Sequence, residues 1–277
     1  MRKKQIVVTV VVVAIMGYLY SLPVKGFLKP KENQTNTAAA VKKPAANITV
    51  AAVSATAKQA LQPSFVEQIT VLERELAAAP GKVELQKQLA QKWDDFGQPA
   101  PSAFYYLDIA RKSKAFADWL IAGKQFNLAY RMSQDTAAQG AFVVNAVEAF
   151  EQATKLQPEN LEAKTGLGVA YVNGGGMPMQ GIALLLDVVK KDPNNHDALL
   201  NLGMFSMKSG QFDKAVERFK TMVSQKEEVE PYFYLAESYK QLGKKDEAIA
   251  AYERCKDLMG DPVAGQRIDE YIKELKK

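Results

Sequence analysis

Cysteine and histidine are almost missing from this chain of 277 residues: each occurs once, as Cys255 and His196. One cysteine cannot close an intramolecular disulfide, and the pair cannot build a Cys/His cluster or a two-histidine zinc motif, which argues against disulfide scaffolds and zinc enzymes. Acid is scarce at the start. Residues 1–64 hold nine of the 36 Lys and Arg but one of the 31 Asp and Glu, leaving 27 bases against 30 acids in the rest. The net charge of +5 therefore belongs to the amino-terminal part. The remainder lacks the basic excess that a nucleic-acid face needs, so no nucleic-acid partner is expected. Hydrophobic residues make up 47% of the chain, too many for a wholly disordered one.

One long apolar run is present. After Met1-Arg2-Lys3-Lys4, the stretch Ile6 to Leu22 carries no charge and is closed by Pro23. At about 1.5 Å per residue it reaches the short end of a bilayer span. Tyr18 and Tyr20 lie near its far end, where aromatic rings favour the interface. The expectation is a cytoplasmic basic tail over 1–4 and a retained signal-anchor helix over 5–23, in a single-pass inner-membrane protein whose remaining chain is periplasmic. A cleaved signal peptide competes with this reading, but Val24-Lys25-Gly26 is a poor small-x-small site and Thr37-Ala38-Ala39-Ala40 lies too far downstream; a buried core helix is the third reading, though nothing nearby would cover a run apolar all round. Residues 24–63 read as a flexible linker. From Pro30 to Gln62 there is no aromatic residue and no sustained apolar period, and such a coil would hold its ends roughly 30 Å apart.

From Phe65 onward the apolar period is helical, and the chain repeats itself. Leu167-Gly168-x-x-Tyr171 is followed by Gly181, Leu185 and Pro193; Leu202-Gly203 by Ala215-x-x-x-Phe219; Leu235-Ala236-x-x-Tyr239 by Ala248-x-x-x-Tyr252 and Pro262. These residues resemble the tetratricopeptide repeat, with Leu-Gly and Tyr on a first helix, Ala and Phe four apart on a second, and a closing Pro. Leu89-Ala90-x-x-Trp93 with Ala103 and Leu107, then Trp119-x-x-Ala122-Gly123-x-x-Phe126 with Ala146, Phe150 and Pro158, fit the same frame. The second of these units holds about 11 residues more than the usual spacing, about three helical turns shared between two antiparallel helices. Small residues at Ala90, Gly123, Gly168, Gly203 and Ala236 let paired helices approach, and Tyr171, Phe219 and Tyr252 fill the gaps between pairs. The resemblance implies an all-α fold: an α-solenoid of about five helix pairs within a domain 64–277, preceded by the transmembrane helix and linker. Phe65 to Ala79 forms a leading helix. Val263 to Leu275, with Ile268, Tyr271, Ile272 and Leu275 on one face, forms the capping helix.

In this family the first helices line a concave groove, and transferring its positions gives Thr165, Val169, Val172 and Asn173 in the third unit. The fourth gives Leu200, Met204, Met207 and Lys208, and the fifth Glu230, Phe233, Glu237, Lys240 and Gln241. The family's Lys/Asn clamp for a terminal carboxylate is not reproduced, since Thr165 and Val169, Leu200 and Met204, and Phe233 and Glu237 stand there. An apolar, methionine-bearing groove suits an amphipathic helix or an extended peptide. The competing reading packs Leu200, Met204, Met207 and Phe233 inside the superhelix or under the capping helix. The resemblance thus implies a membrane-anchored scaffold or adaptor for protein partners, neither an enzyme nor a cofactor carrier; assembly of envelope complexes or of c-type cytochromes is the analogy of architecture. A self-associating homo-oligomer is the alternative, and an enzyme built around Trp119, Phe126, Tyr130 and Arg131 the remote one. Asn173-Gly174-Gly175-Gly176 reads as a turn, lacking the Lys-Ser/Thr of a phosphate loop. His196 reads as a surface or capping residue, and Cys255 as buried and inert.

Overall fold

The computed structural model describes residues 48–277 except 175, all within the compact unit Ala39–Lys277. The apolar run expected to cross a membrane at 5–23, with its basic tail, lies outside the described residues. Among the described residues no helix is long and apolar enough to cross a membrane.

The described chain is helical throughout. A leading pair, α1 (Val50–Gln59) and α2 (Pro63–Ala78), precedes five antiparallel pairs. These are α3 (Val83–Asp95) with α4 (Pro99–Ser113), α5 (Phe116–Met132) with α6 (Thr136–Leu156), and α7 (Leu161–Asn173) with α8 (Pro178–Lys191). Next come α9 (His196–Lys208) with α10 (Phe212–Gln225), α11 (Val229–Gln241) with α12 (Lys245–Met259), and finally α13 (Pro262–Leu275). The order is that of the expected solenoid and its cap. Local chemistry sets the boundaries. The side chains of Asp135, Asn160 and Asn195 accept backbone N–H groups at the starts of α6, α7 and α9, and prolines occupy the first turns of α4 and α8. Between the helices of the last two pairs the chain reverses at Gly210 and Gly243, with φ of 73° and 70°, a region where glycine avoids the Cβ clash.

The core is a file of four apolar clusters, as expected where each pair buries its face only against its neighbours. Close approach depends on the small residues. A Cβ on Gly203 would stand 2.5 Å from the Phe219 ring. Gly168 and Gly181 press α7 and α8 together so tightly that a Cβ on Gly181 would meet the Gly168 carbonyl at 2.4 Å. Phe150 does double duty: its ring would meet a Cβ on Gly123, in its own pair, at 2.8 Å and one on Gly166, in the next, at 2.2 Å. Phe219 stacks on Tyr234 of the following pair at 5.5 Å, and Tyr252 lies 5.7 Å from Tyr271 of the cap. Tyr171 donates to Glu151 of the preceding pair at 2.8 Å.

The second pair is the long one. α5 has 17 residues against 13 in α7, and α6 has 21 against 14 in α8, so the insertion adds about one turn to one helix and two to the other. The protruding tip is fastened on one side to the third pair, where the Tyr130 hydroxyl donates to the Asn173 carbonyl at 3.0 Å. On its other side lies α1.

That helix corrects the linker expected over 24–63, because residues 50–59 of it are helical. Their alanines carry little apolar signal yet high helix propensity, Thr49 caps the start, and Val53 and Ala57, four apart, are buried. α1 packs along α4 rather than on its chain neighbour, and a Lys58–Glu73 ion pair ties it to α2. The leading helix begins at Pro63, two residues before the expected Phe65.

Candidate partner-binding face

First helices of successive pairs lie side by side: α5 on α7, α7 on α9, α9 on α11. Second helices stand apart beyond α4 and α6, which makes the first helices the inner wall of the curve. The α5–α7 seam is polar. Lys124 pairs with Glu162 at 2.6 Å, and the Asn127 amide donates to the Gly166 carbonyl at 3.0 Å.

The expected lining residues divide by burial. Thr165, Val169 and Leu200 are buried; Val169 joins Leu185, Val188, Ala198 and Leu202 in the core between the third and fourth pairs. Val172, half-buried, presses its Cγ2 toward Gly181 of its own pair, and Asn173 uses its carbonyl to hold Tyr130. Met204, Met207 and Phe233 are half-buried and brought together on one core cluster, while Lys208, Glu230 and Gln241 are exposed. At the far end the cap intrudes. Phe233 lies 6.3 Å from Tyr271, and Lys240 sits 5.4 Å from the centre of the same ring. Glu237 accepts from the Tyr252 hydroxyl and pairs with Lys240 at 3.6 Å, so the charges of this end are tied to one another. Glu237 and the burial around it raise the Tyr252 pKa, burial being the larger cause.

One charge influence across the curve carried no sequence signal. Arg131, exposed at the end of α5, lies near enough to Tyr234 on α11 for its charge to favour the phenolate. Burial, with Glu230 beside it, outweighs this and raises the Tyr234 pKa. Residues 103 positions apart come within reach of one another's charge because the array curves, which spacing within a repeat does not reveal.

Other singled-out residues have structural surroundings. Trp119 and Phe126 are core residues, and Tyr130 holds the third pair. Cys255 is free and buried, its thiol pKa pushed up by burial. His196 opens α9, exposed, with Nε2 2.7 Å from Glu228. Among the described residues no group of three or more His, Cys, Asp or Glu is placed to hold a metal ion.

Models of the tetratricopeptide repeat match residues 184–217 and 229–261, the latter spanning α11 and α12. The chain carries tetratricopeptide repeats. A solved tetratricopeptide repeat protein from Parabacteroides merdae superposes with a TM-score of 0.55 at 12% identity, over 85% of this chain and 88% of that one, a likeness of fold. MamA superposes at a TM-score of 0.46 with 18% identity, over 63% of this chain and 90% of that one. The BBSome complex member BBS4 of Bos taurus is 31% identical over 77 residues, 28% of this chain, which spans only 15% of that relative's length.

Proposed function

We propose that the chain is a scaffold that engages protein partners through the inner wall of its repeats, held at the inner membrane by residues 5–23 with the repeats on the periplasmic side. The carrying observation is the patch where half-buried Met204, Met207 and Phe233 are flanked by exposed Lys208 and Gln241 on α9 and α11. Two thioethers and an aromatic ring, rimmed by polar groups, suit the apolar face of a helix or an extended segment. The tetratricopeptide repeats support a role in protein–protein interaction, and anchoring would raise the effective concentration of the array near membrane-bound partners. Assembly of envelope complexes or of c-type cytochromes fits this architecture by analogy.

Two experiments test the two halves. Carboxy-terminal reporters active only inside or only outside the cytoplasm should show the outside signal, in protein retained by membranes; an inside signal refutes the orientation. Affinity capture from gently solubilised membranes should recover a partner with the native chain and lose it with Met204→Glu and Met207→Glu. A partner retained by the double variant refutes the face.

A further inference from the structure

The long second pair leaves a cavity that the partner-binding face does not use. Its extra turns raise a ledge above the α3–α4 turn, and α1 lies along that ledge without filling it. The face α1 presents there is made mainly of small residues: Ala52, Val53, Thr56, Ala57 and Ala60. The space left has a volume of about 450 Å³, within the range typical of small-molecule pockets.

The walls are apolar, from Val53 and Ala57 on α1, Ala129 and Met132 at the end of α5, and Ala138 and Phe142 on α6. Polar groups gather where Gln98, Ser133, Gln134 and Asp135 contribute. Asp135 spends one carboxylate oxygen on the backbone N–H groups of Ala137 and Ala138, at 2.9 and 3.3 Å. The Gln98 and Gln134 side-chain amides make no hydrogen bond among the described residues. Among the described residues no Lys or Arg lines the space, and the one ionisable lining group among them is an acid.

We propose that this cavity binds a neutral acyl-chain lipid, the chain against the alanine, valine and phenylalanine walls and an uncharged hydroxyl-bearing head at Gln98 and Gln134. Volume sets the size: an apolar cavity of about 150 Å³ takes benzene, so three times that space holds on the order of fifteen to twenty non-hydrogen atoms. Charge sets the head. A free carboxylate would meet Asp135 with no cation among the described lining residues to offset the repulsion, whereas a glycerol ester would not. The site shares no residue with the α9–α11 patch, so it stands or falls apart from the partner reading.

The test is calorimetric titration of the full-length chain with monolauroylglycerol below its critical micelle concentration. Saturable uptake of one molecule per chain is expected. Ala52→Phe and Thr56→Trp fill the space from exposed positions on α1 and should weaken binding tenfold or more. Ala55→Phe, on the same helix but outside the cavity, should leave it unchanged. Laurate at pH 7 should bind at least tenfold more weakly than the ester. No saturable uptake, or uptake that all four chains share equally, as it would if the run Ile6 to Leu22 were the binder, overturns the site. Laurate binding as tightly as the ester overturns the neutral head.

Discussion

Gly166 and Gly203 make tight demands as single residues, because the rings of Phe150 and Phe219 stand where a Cβ would be. Alanine at either position must displace a buried ring. Gly203→Ala should cost about 1–3 kcal/mol, read as a lower urea midpoint with unchanged slope. Lys114 presents the opposite case. It closes α4 with a φ of 55°, the left-handed region in which a side chain costs about 1–2 kcal/mol. Lys114→Gly should therefore raise the urea midpoint, by up to about 1 kcal/mol after the entropy glycine adds to the unfolded chain. Tyr105 makes stability depend on alkali. Burial first, then the charge of Glu73, pushes its pKa from 10.0 to about 12. Below pH 10 both folded and unfolded states keep the proton; above it the unfolded chain loses its proton first, so this contribution is lost as pH rises toward 12. Tyr105→Phe should flatten the fall in urea midpoint between pH 10 and 12. Gly203 was legible in the sequence from Leu202-Gly203 and its place in the repeat. Gly166 was not, because its reason for being small lies on Phe150, in the neighbouring pair.

Helices were legible where an apolar period ran through them and hidden where alanine did the packing. The five pairs announce themselves in recurring small-x-x-x-large patterns, and the cap in its apolar face of Ile268, Tyr271, Ile272 and Leu275. The surplus spacing between Gly123 and Ala146 foretold the long α5 and α6, though not the unequal division of the surplus between them. α1 reads as linker because Val50 and Val53 are its two large apolar side chains and alanine makes up most of the rest of its packing face. A ten-residue helix is marginal alone, so α1 depends on its contacts with α4 and on the Lys58–Glu73 pair. Val53→Asp should detach it: backbone amides of residues 50–59 should exchange as fast as in an unstructured peptide while those of α9 to α12 keep their protection. The cap has the same logic at the other end. Ile268→Asp should loosen α13 and uncover Tyr252, seen as concentration-dependent association in sedimentation that the native chain lacks at the same concentration.

At the scale of the whole molecule, each repeat explains its own packing, but the partner surface belongs to the series. The sequence frame placed Met204, Met207 and Phe233 on one groove, and all three pack half-buried against the same core cluster. It also placed Thr165, Val169 and Leu200 on the surface, and these are buried, because consecutive pairs close over them as the array curves. The approach of Arg131 to Tyr234 belongs to the same curvature. The proposed partner surface is therefore confined to the middle of the inner wall, between the polar α5–α7 seam and the tied charges under the cap. The most direct measurement is site-specific photo-crosslinking in living cells, with the reactive group placed in turn at Lys208 and Gln241 on this face and at the exposed Glu253 on α12. The account predicts a discrete protein adduct from Lys208 and Gln241, none from Glu253, and its loss when Met204 and Met207 are both changed to Glu. The same adduct from Glu253, or one that survives the methionine changes, would contradict it.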